Sequence, residues 1–482
     1  MRLSKSRLLS YLQCPKRLWL DVHRPEVGYY PKRVQARFES GHQVGEVART
    51  LYAQGREVAF DRDVSVALNN TQGELFPGEA PRARVYFEAP FRHQEVLVRA
   101  DVLERNSTGT RLIEVKSGAG VKEEYLPDVA IQSWVINGSG VRLSEVAVAH
   151  LNSRFVYPGE RDYRGLLVEK SVGEVVGPLV PQVASWVSQA QRTLAGAEPA
   201  IQVGRHCRAP HECPFIDYCW PQTEFPLTVL PRIGAKLDEF VARGYRDLRD
   251  VPEEEVSGEN RIRVWRSTIN NRVEIDPGLR EALRAIPFPR YYLDFETIEF
   301  AVPIWPGTRP RQAIPFQWSL HVEKGPGAIE HLEFLDVSGE LPAARLTQAL
   351  IAALGDVGPI CSYSGYERQC VETLVTLVPS LAGPLNALLP RLVDLLPVFR
   401  RNYYHPGMKG SWSIKKVLPT VVPELSYDGL GEVADGEAAQ RAYLEAIDPA
   451  TSPVRRSHIA SLLLAYCRFD THAMVRLVQA FQ

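Results

Sequence analysis

Residues 98–118 read VRADVLERNSTGTRLIEVKSG, and the parsing of this stretch decides the fold of the first part of the chain. Its β-branched runs predict two strands, one carrying Asp101 near its end and the next carrying Glu114 and Lys116. Side chains alternate along a strand, so residues two apart share a face, and Glu114 and Lys116 stand side by side. Two carboxylates of this kind can hold a divalent ion that polarises a phosphate and activates water, while the lysine offsets charge or orients the nucleophile. By itself the D…ExK spacing is a weak signal, because surface strands produce it often.

Working outward, ARVYFEAPF (83–91) and VAVAHLNSRFV (146–156) predict further strands, DVAIQSWVI (128–136) a helix, and 174–195 a long amphipathic helix. Strands alternating with helices read as α/β. The 482 residues are enough for two to four domains, and 45% hydrophobic with 23% charged residues is ordinary globular composition. A net charge of −1 removes any global argument for nucleic-acid binding, although the first 60 residues hold 11 Lys and Arg against 5 Asp and Glu. A solvated helix face explains that excess equally well. The opening MRLSKSRLLSYLQCPKRLWL lacks a signal-length apolar run, and no stretch reaches membrane-span length, so a cytoplasmic protein without membrane contact is expected.

Punctuation divides the chain into residues 1–222, a short helical stretch 223–285 and a second α/β block 286–482. Within the middle stretch, PRIGAKLDEFVARGYRDLRDVP (231–252) predicts two small helices about a glycine turn, a helix-hairpin-helix grip or a plain spacer. The last block predicts strands at YYLDFET, FQWSLHVE, HLEFLDV and GPICSYSG, with helices after 340 and 366 and at the C-terminus.

Seven cysteines in a reducing compartment argue against disulfides. Cys207, Cys213 and Cys219 cluster in HCRAPHECPFIDYCW, and Cys14 lies in the N-terminal YLQCPKRLWL. Together they suit a four-thiolate site joining the two ends of the first block, with a 4Fe-4S cluster, zinc and four reduced thiols as the alternatives. Cys361, Cys370 and Cys467 read as core residues.

The combination of SKSRLLSYLQCPKRLWL, GHQVGEVAR, RADVL, IEVKSG, DVAIQSWV and the three-cysteine tail resembles the RecB-type PD-(D/E)XK nucleases with an iron-sulfur staple, including the Cas-four-like and AddB-type branches. The resemblance spans residues 1–222 and implies a restriction-endonuclease-like fold. It makes Cys14, Cys207, Cys213 and Cys219 ligands of a 4Fe-4S cluster, His42, Asp101 and Glu114 metal ligands, Lys116 the catalytic lysine and Gln132 a substrate-side glutamine on the following helix. The tyrosine often found four positions after that glutamine is replaced by Ile136.

In the last block, YYLDFETIEF places Asp294 and Glu296 two apart on an apolar strand, Glu367 follows in SYSGYERQCV, and Tyr466 and Asp470 lie four apart in AYCRFDTHAM. A buried carboxylate pair is costly without a cation, and four carboxylates suit a two-metal phosphodiester site in which the tyrosine positions water. The pattern resembles the tyrosine-bearing DEDD exonucleases of the RNase H-like superfamily. Residues 286–482 more closely resemble an uncharacterised bacterial domain fused behind RecB-type nuclease domains, and the match to that fusion covers essentially the whole chain. Glu367 departs from the usual aspartate by one methylene, and Asp394 in RLVDLLPVF is a structural residue or its substitute.

Lys409, Lys415 and Lys416 in GMKGSWSIKK line a strand groove or a solvated loop, with Lys415 the substrate contact. Arg309 and Arg311 beside aromatics suit single-strand contacts or a packed turn. The expectation is therefore a nuclease with two sites using Mg²⁺ or Mn²⁺ on DNA with single-stranded ends, in repair or defence, with a helicase or another repair or defence protein as partner. The alternatives are a DNA-end-binding scaffold that has lost one or both activities, and an RNA exonuclease.

Overall fold

Alternating apolar residues over 85–116 build the centre of a seven-stranded sheet in the first of two compact units. The computed structural model describes residues 3–30, 32–52, 55–58, 66, 68–69, 71, 85–106, 109–220 and 222–482, without the side chains of 32–38, 106 and 428. The first unit comprises Met1–Pro221 and Phe300–Arg311, the second Gln222–Glu299 and Gln312–Gln482.

The strands of the first unit are β1 (Leu3–Ser4), β2 (Arg56–Glu57), β3 (Val85–His93), β4 (Val96–Asn106), β5 (Gly109–Lys116), β6 (Leu143–Leu151) and β7 (Leu167–Ser171). They run in the order β2-β3-β4-β5-β6-β7, with β1 beside β4. The pairs β3–β4 and β4–β5 are antiparallel and β5–β6 is parallel. Its helices include α1 (Lys5–Gln13), α2 (Pro15–His23), α3 (Lys32–Leu51), α4 (Leu126–Gly138) and α5 (Val183–Ala195). The long helix expected over 174–195 is broken: a single turn at Gly173–Val176 and a 3₁₀ turn at Val180–Gln182 precede α5, because Pro178 and Pro181 remove helical donors. One face of the sheet packs Val96, Val98, Ala100 and Leu112 against Val129, Ile136 and Val187, and Val85, Phe87, Val102 and Ile113 form the other.

The segment Phe300–Arg311 belongs to this first body. Gly307 donates to Tyr157 O at 2.8 Å, Tyr157 donates to Thr308 O at 2.9 Å, and Ala301 and Val302 share a core with Phe155 and Tyr157.

The second unit is built on β8 (Arg290–Ile298), β9 (Ile314–Gly325), β10 (Ala328–Leu335), β11 (Ile360–Ser362) and β12 (Leu392–Asp394). The order is β10-β9-β8-β11-β12, in which β9 is antiparallel to both neighbours and β11 is parallel to both. Residues 314–323 of β9 are all buried, so this strand is covered on both faces. The helices that position side chains are α6 (Ala343–Leu354), α7 (Tyr366–Leu377), α8 (Ile414–Val421), α9 (Gly436–Ile447) and α10 (Pro453–Ala480).

The stretch 223–285 does not stand apart as a connector; it folds with the second unit. Glu274–Ile275 pairs with Tyr403–Tyr404, Asp276 N–H donates to Asn402 O at 2.8 Å, and Arg263 donates to Arg400 O at 2.8 Å. Both units mix helices with sheets, as an α/β chain should. Among the described residues no single helix is long and apolar enough to cross a membrane.

Candidate functional site

Asp101 sits where β4 changes phase. Ala100 packs on one face of the sheet and Val102 on the other, and the opposing strand switches face at the same level, with Phe87 beside Val102 and Ala89 beside Ala100. Glu88, at that switch, takes a positive φ of 55°. Such an irregularity re-aims a side chain. The last β4–β5 pair in this direction is Val102 with Ile113, after which Asp101 Oδ2 itself accepts the Val115 N–H at 2.8 Å.

Glu114 and Asp128 lie beside it in a ring of charge. Lys116 Nζ reaches Glu114 Oε1 and Asp128 Oδ2, both at 2.6 Å, and Lys5 Nζ reaches Glu114 Oε1 at 3.1 Å and Asp128 Oδ1 at 2.9 Å. Gln132 Nε2 donates to Glu114 Oε2 at 2.6 Å and to Asp128 Oδ1 at 3.0 Å. Burial alone would raise Glu114, but the two ammoniums and these hydrogen bonds hold it well below the ordinary carboxylate range. Asp101 is pushed up to about 8 by burial and by the Glu114 charge. Burial opposes the charge on both lysines, yet Glu114 and Asp128 keep them above their ordinary value.

Asp101, Glu114, Lys116 and Gln132 thus converge as the sequence predicts. His42 does not join them. On α3 its side chain is 71% exposed and pairs with Glu46 one turn away at 3.2 Å, so the metal-ligand role expected for it is not formed. Gln132 is fully buried and touches carboxylates rather than an open surface. Its Oε1 is buried without a hydrogen-bond partner. Lys5 and Asp128 escaped the sequence reading; their signal lay in SKS at the N-terminus and in the acid one helical turn before Gln132.

Cys14 caps the start of α2, and the residue before it ties this end to the cysteine tail: Gln13 Nε2 donates to His206 O at 2.6 Å and to His211 O at 2.7 Å. Trp19 donates to Gly196 O at 3.0 Å, Lys16 pairs with Glu198 at 2.8 Å, and Cys213 N–H donates to Cys207 O at 2.8 Å. Burial pushes the Cys213 thiol up to about 11, Arg17 opposes, and the charges of Cys207 and Cys14 add to the rise; Cys219 is raised mainly by burial and feels the same two neighbours. The four thiols are therefore neighbours, all free of disulfides.

In the second unit, β8 presents Asp294 and Glu296, and α10 lies against it. Asp294, Glu296 and Cys467 bring one ligand atom each to within 4.8 Å of one another, with Cys467 Sγ 3.6 Å from Asp294 Oδ2. Cys467 is thus part of the site wall rather than core alone. Glu367, in the first turn of α7, accepts from Ser364 Oγ at 3.2 Å, and Asp470 accepts from Tyr427 OH at 2.5 Å. Both stand outside the tight triad but close enough to act on Asp294. Burial first, and then the charges of Asp470, Glu296 and Glu367, push Asp294 well above the ordinary range. Glu296 rises to about 8 through burial and Asp470, Glu367 to about 7 through burial, and Asp470 to about 6, where burial outweighs the Tyr427 bond and Lys415. Such uncompensated carboxylates form the hard oxygen donor set that a divalent ion requires.

Tyr466 sits on the same helix face as Asp470 and bonds to it. Lys415, from α8, lies 5.0 Å from the ring centres of both Tyr427 and Tyr466 and donates to Ala434 O at 2.9 Å. Lys409 instead reaches Glu224 O at 2.8 Å. Asp394 caps the helix Leu395–Asn402 through Leu396 N–H at 2.9 Å, and its charge adds to the rise of Glu367. Arg311 is held in the first unit by Ser40 Oγ at 2.8 Å and Ser117 O at 3.3 Å, the packed turn of the two alternatives. Tyr427 was not legible in advance.

Residues 291–413 match a family described as a domain of unknown function (DUF2779), a span that includes Asp294, Glu296 and Glu367 and stops short of Lys415, Tyr466 and Asp470. Among curated proteins none matches the chain.

Proposed function

We propose that the chain is a metal-dependent nuclease with two hydrolytic sites, acting on DNA that carries single-stranded ends. The observation that carries this reading is the gathering of Asp294, Glu296, Glu367 and Asp470 from three separate parts of the chain into one buried cluster, in which the charges of the other three raise Asp294 and that of Asp470 raises Glu296. A scaffold has no use for such an arrangement, which costs stability until a cation is present. The sheet order of the second unit, with one antiparallel strand between neighbours, agrees with an RNase H-like DEDD exonuclease fold. The mixed sheet of the first unit, with Asp101, Glu114 and Lys116 at one break in its pairing, agrees with a PD-(D/E)XK fold.

In the second site Asp294, Glu296, Glu367 and Asp470 would hold Mg²⁺ or Mn²⁺, which supplies Lewis-acid stabilisation of phosphate charge and a lowered pKa for bound water. Tyr466 orients a water through its hydroxyl, Tyr427 fixes the rotamer of Asp470, and Lys415 offsets part of the excess negative charge. In the first site Asp101 and Glu114 would hold the ion, Lys116 orients the nucleophile, and Gln132 fixes Glu114.

For the cysteines we read a structural 4Fe-4S cluster held by Cys14, Cys207, Cys213 and Cys219. What supports this reading is that Gln13 ties the start of α2 to the cysteine tail and that all four thiols are free of disulfides. A role in repair or defence, with a helicase as partner, follows from the resemblance alone.

The test is Mn²⁺-dependent hydrolysis of matched single-stranded DNA and RNA oligomers by the wild type and by a Glu114→Gln, Asp294→Asn double variant. The reading expects DNA loss that the double variant abolishes. Equal or faster loss of RNA would replace DNA by RNA as substrate, and binding without hydrolysis would leave a scaffold.

A further inference from the structure

The D…ExK spacing supplies one lysine, yet the first site contains two. We infer that Lys5 is an exchangeable cation of this site: it neutralises Glu114 and Asp128 until a divalent ion takes Glu114, and it then faces the substrate phosphate. The inference rests on reading the first site as a nuclease centre.

Lys5 is placed by its backbone from both sides. Leu3 and Ser4 pair in parallel with Val96 and Leu97, Leu3 N–H donates to Glu95 O at 3.0 Å, and Ser4 Oγ caps α1 by accepting Arg7 N–H at 3.3 Å. The far end of α1 is held through Gln13 at the cysteine tail. A lysine side chain ordered between two carboxylates gives up much rotamer freedom, and a surface position would not require that.

The charges are arranged in a ring. Glu114 and Asp128, 2% and 6% exposed, each touch both Lys5 and Lys116, so two carboxylates meet two ammoniums and the ring is neutral. Asp101 lies outside it, and its contact is the Val115 N–H. A divalent ion at Asp101 and Glu114 adds two positive charges, and one ammonium must then withdraw from Glu114. Lys5 and Lys116 share the same oxygen, Glu114 Oε1, at 3.1 and 2.6 Å, so Lys5 is the more weakly held. Lys116 is moreover fixed on β5 two residues from Glu114, whereas Lys5 comes from another element and can swing away. Once released, its ammonium lies within a side chain's reach of a phosphate on the same ion, where one contact releases about one counterion.

The test uses the full chain with Asp294→Asn and Asp470→Asn, so that Mn²⁺ binding reports the first site. Lys5→Ala, and Lys5→Met to keep the apolar stem if alanine unfolds, should bind Mn²⁺ about five- to tenfold more tightly by calorimetry, because the competing cation is gone; Lys5→Arg should resemble the parent. With Ca²⁺ present to prevent cleavage, the slope of log affinity for single-stranded DNA against log salt should shrink by about 0.7, the value of one single-strand phosphate contact. Unchanged or weaker Mn²⁺ binding in a folded Lys5 variant, or an unchanged salt slope, would overturn the inference. A parent that binds no Mn²⁺ at the first site would instead overturn the nuclease reading beneath it.

Discussion

Tyr427 donates its phenolic hydrogen to Asp470 Oδ1 at 2.5 Å, on the same carboxylate that Tyr466 reaches from one helical turn earlier. Two phenols on one carboxylate divide the work. Both hydroxyls favour the ionised carboxylate, but Tyr427 is held on a separate short turn whereas Tyr466 shares α10 with Asp470. Tyr427→Phe is expected to weaken Mn²⁺ binding about 10- to 100-fold, as loss of a supporting bond to a metal ligand does, with turnover restored at saturating Mn²⁺. Tyr466→Phe is expected to lower turnover even when Mn²⁺ is saturating. Mn²⁺ titrations of activity for both variants separate the two roles.

The raised carboxylates make metal-free stability depend on pH. Glu296, Glu367 and Asp470 titrate at about 8, 7 and 6 in the folded protein, and Asp101 at about 8, against about 4 in an unfolded chain. The folded state therefore binds more protons than the unfolded one, and this contribution is fully present below about pH 4 and is lost as pH rises through 6–8. Metal-free protein should melt at a lower temperature at pH 8.5 than at pH 5.5, and Mn²⁺ should reverse the loss at the higher pH. Glu296→Gln should flatten the dependence and raise the metal-free melting temperature at pH 8.5. A Glu296→Gln protein whose metal-free melting temperature depends on pH as steeply as the parent's would contradict the assignment, since His321, His331, His405 and His472, which burial lowers, act in the opposite sense in both proteins.

Gln132→Leu removes the donor that Glu114 and Asp128 share while keeping the buried volume similar. The first site should lose about 10- to 100-fold in metal affinity, and hydrolysis that depends on Asp294 should be unchanged. Product analysis with and without an added Asp294→Asn change reads the two separately.

Protein purified without oxygen should be brown and carry about four irons per chain. Cys14→Ala should lose the iron and lower the melting temperature by several degrees, because cluster binding is coupled to folding and α1 and α2 are fixed to the cysteine tail at that point. Stoichiometric zinc without iron would replace the cluster, and a Cys14→Ala protein that keeps both iron and stability would remove Cys14 from the ligand set.

Strands were legible wherever apolar alternation was regular; Glu114 with Lys116, Asp294 with Glu296, and Tyr466 with Asp470 were legible as pairs two apart on strands or four apart on a helix, whereas Asp101 and Glu367 are tied to them by no local spacing and drew their roles from the family resemblance. What escaped depended on contacts distant in sequence. Lys5 is 109 residues from Glu114 and Tyr427 is 43 from Asp470, and no local period announces either. His42 fitted a motif but faces solvent, since a position on a helix does not determine which way that face turns. The helix over 174–195 failed at Pro178 and Pro181, whose effect outweighs the amphipathic pattern. The separate connector failed because Glu274–Ile275 finds its pairing partner 128 residues later, at Tyr403–Tyr404.

The central claim is that one chain carries two working hydrolytic sites. The most direct measurement is Mn²⁺-dependent degradation of single-stranded DNA labelled separately at its 5′ and 3′ ends by the wild type, Lys116→Ala and Asp294→Ala. The account predicts that each substitution removes a different ladder of products while the other ladder persists. Wild-type protein that binds the DNA and leaves both labels intact, or a single ladder lost to neither substitution, would contradict it.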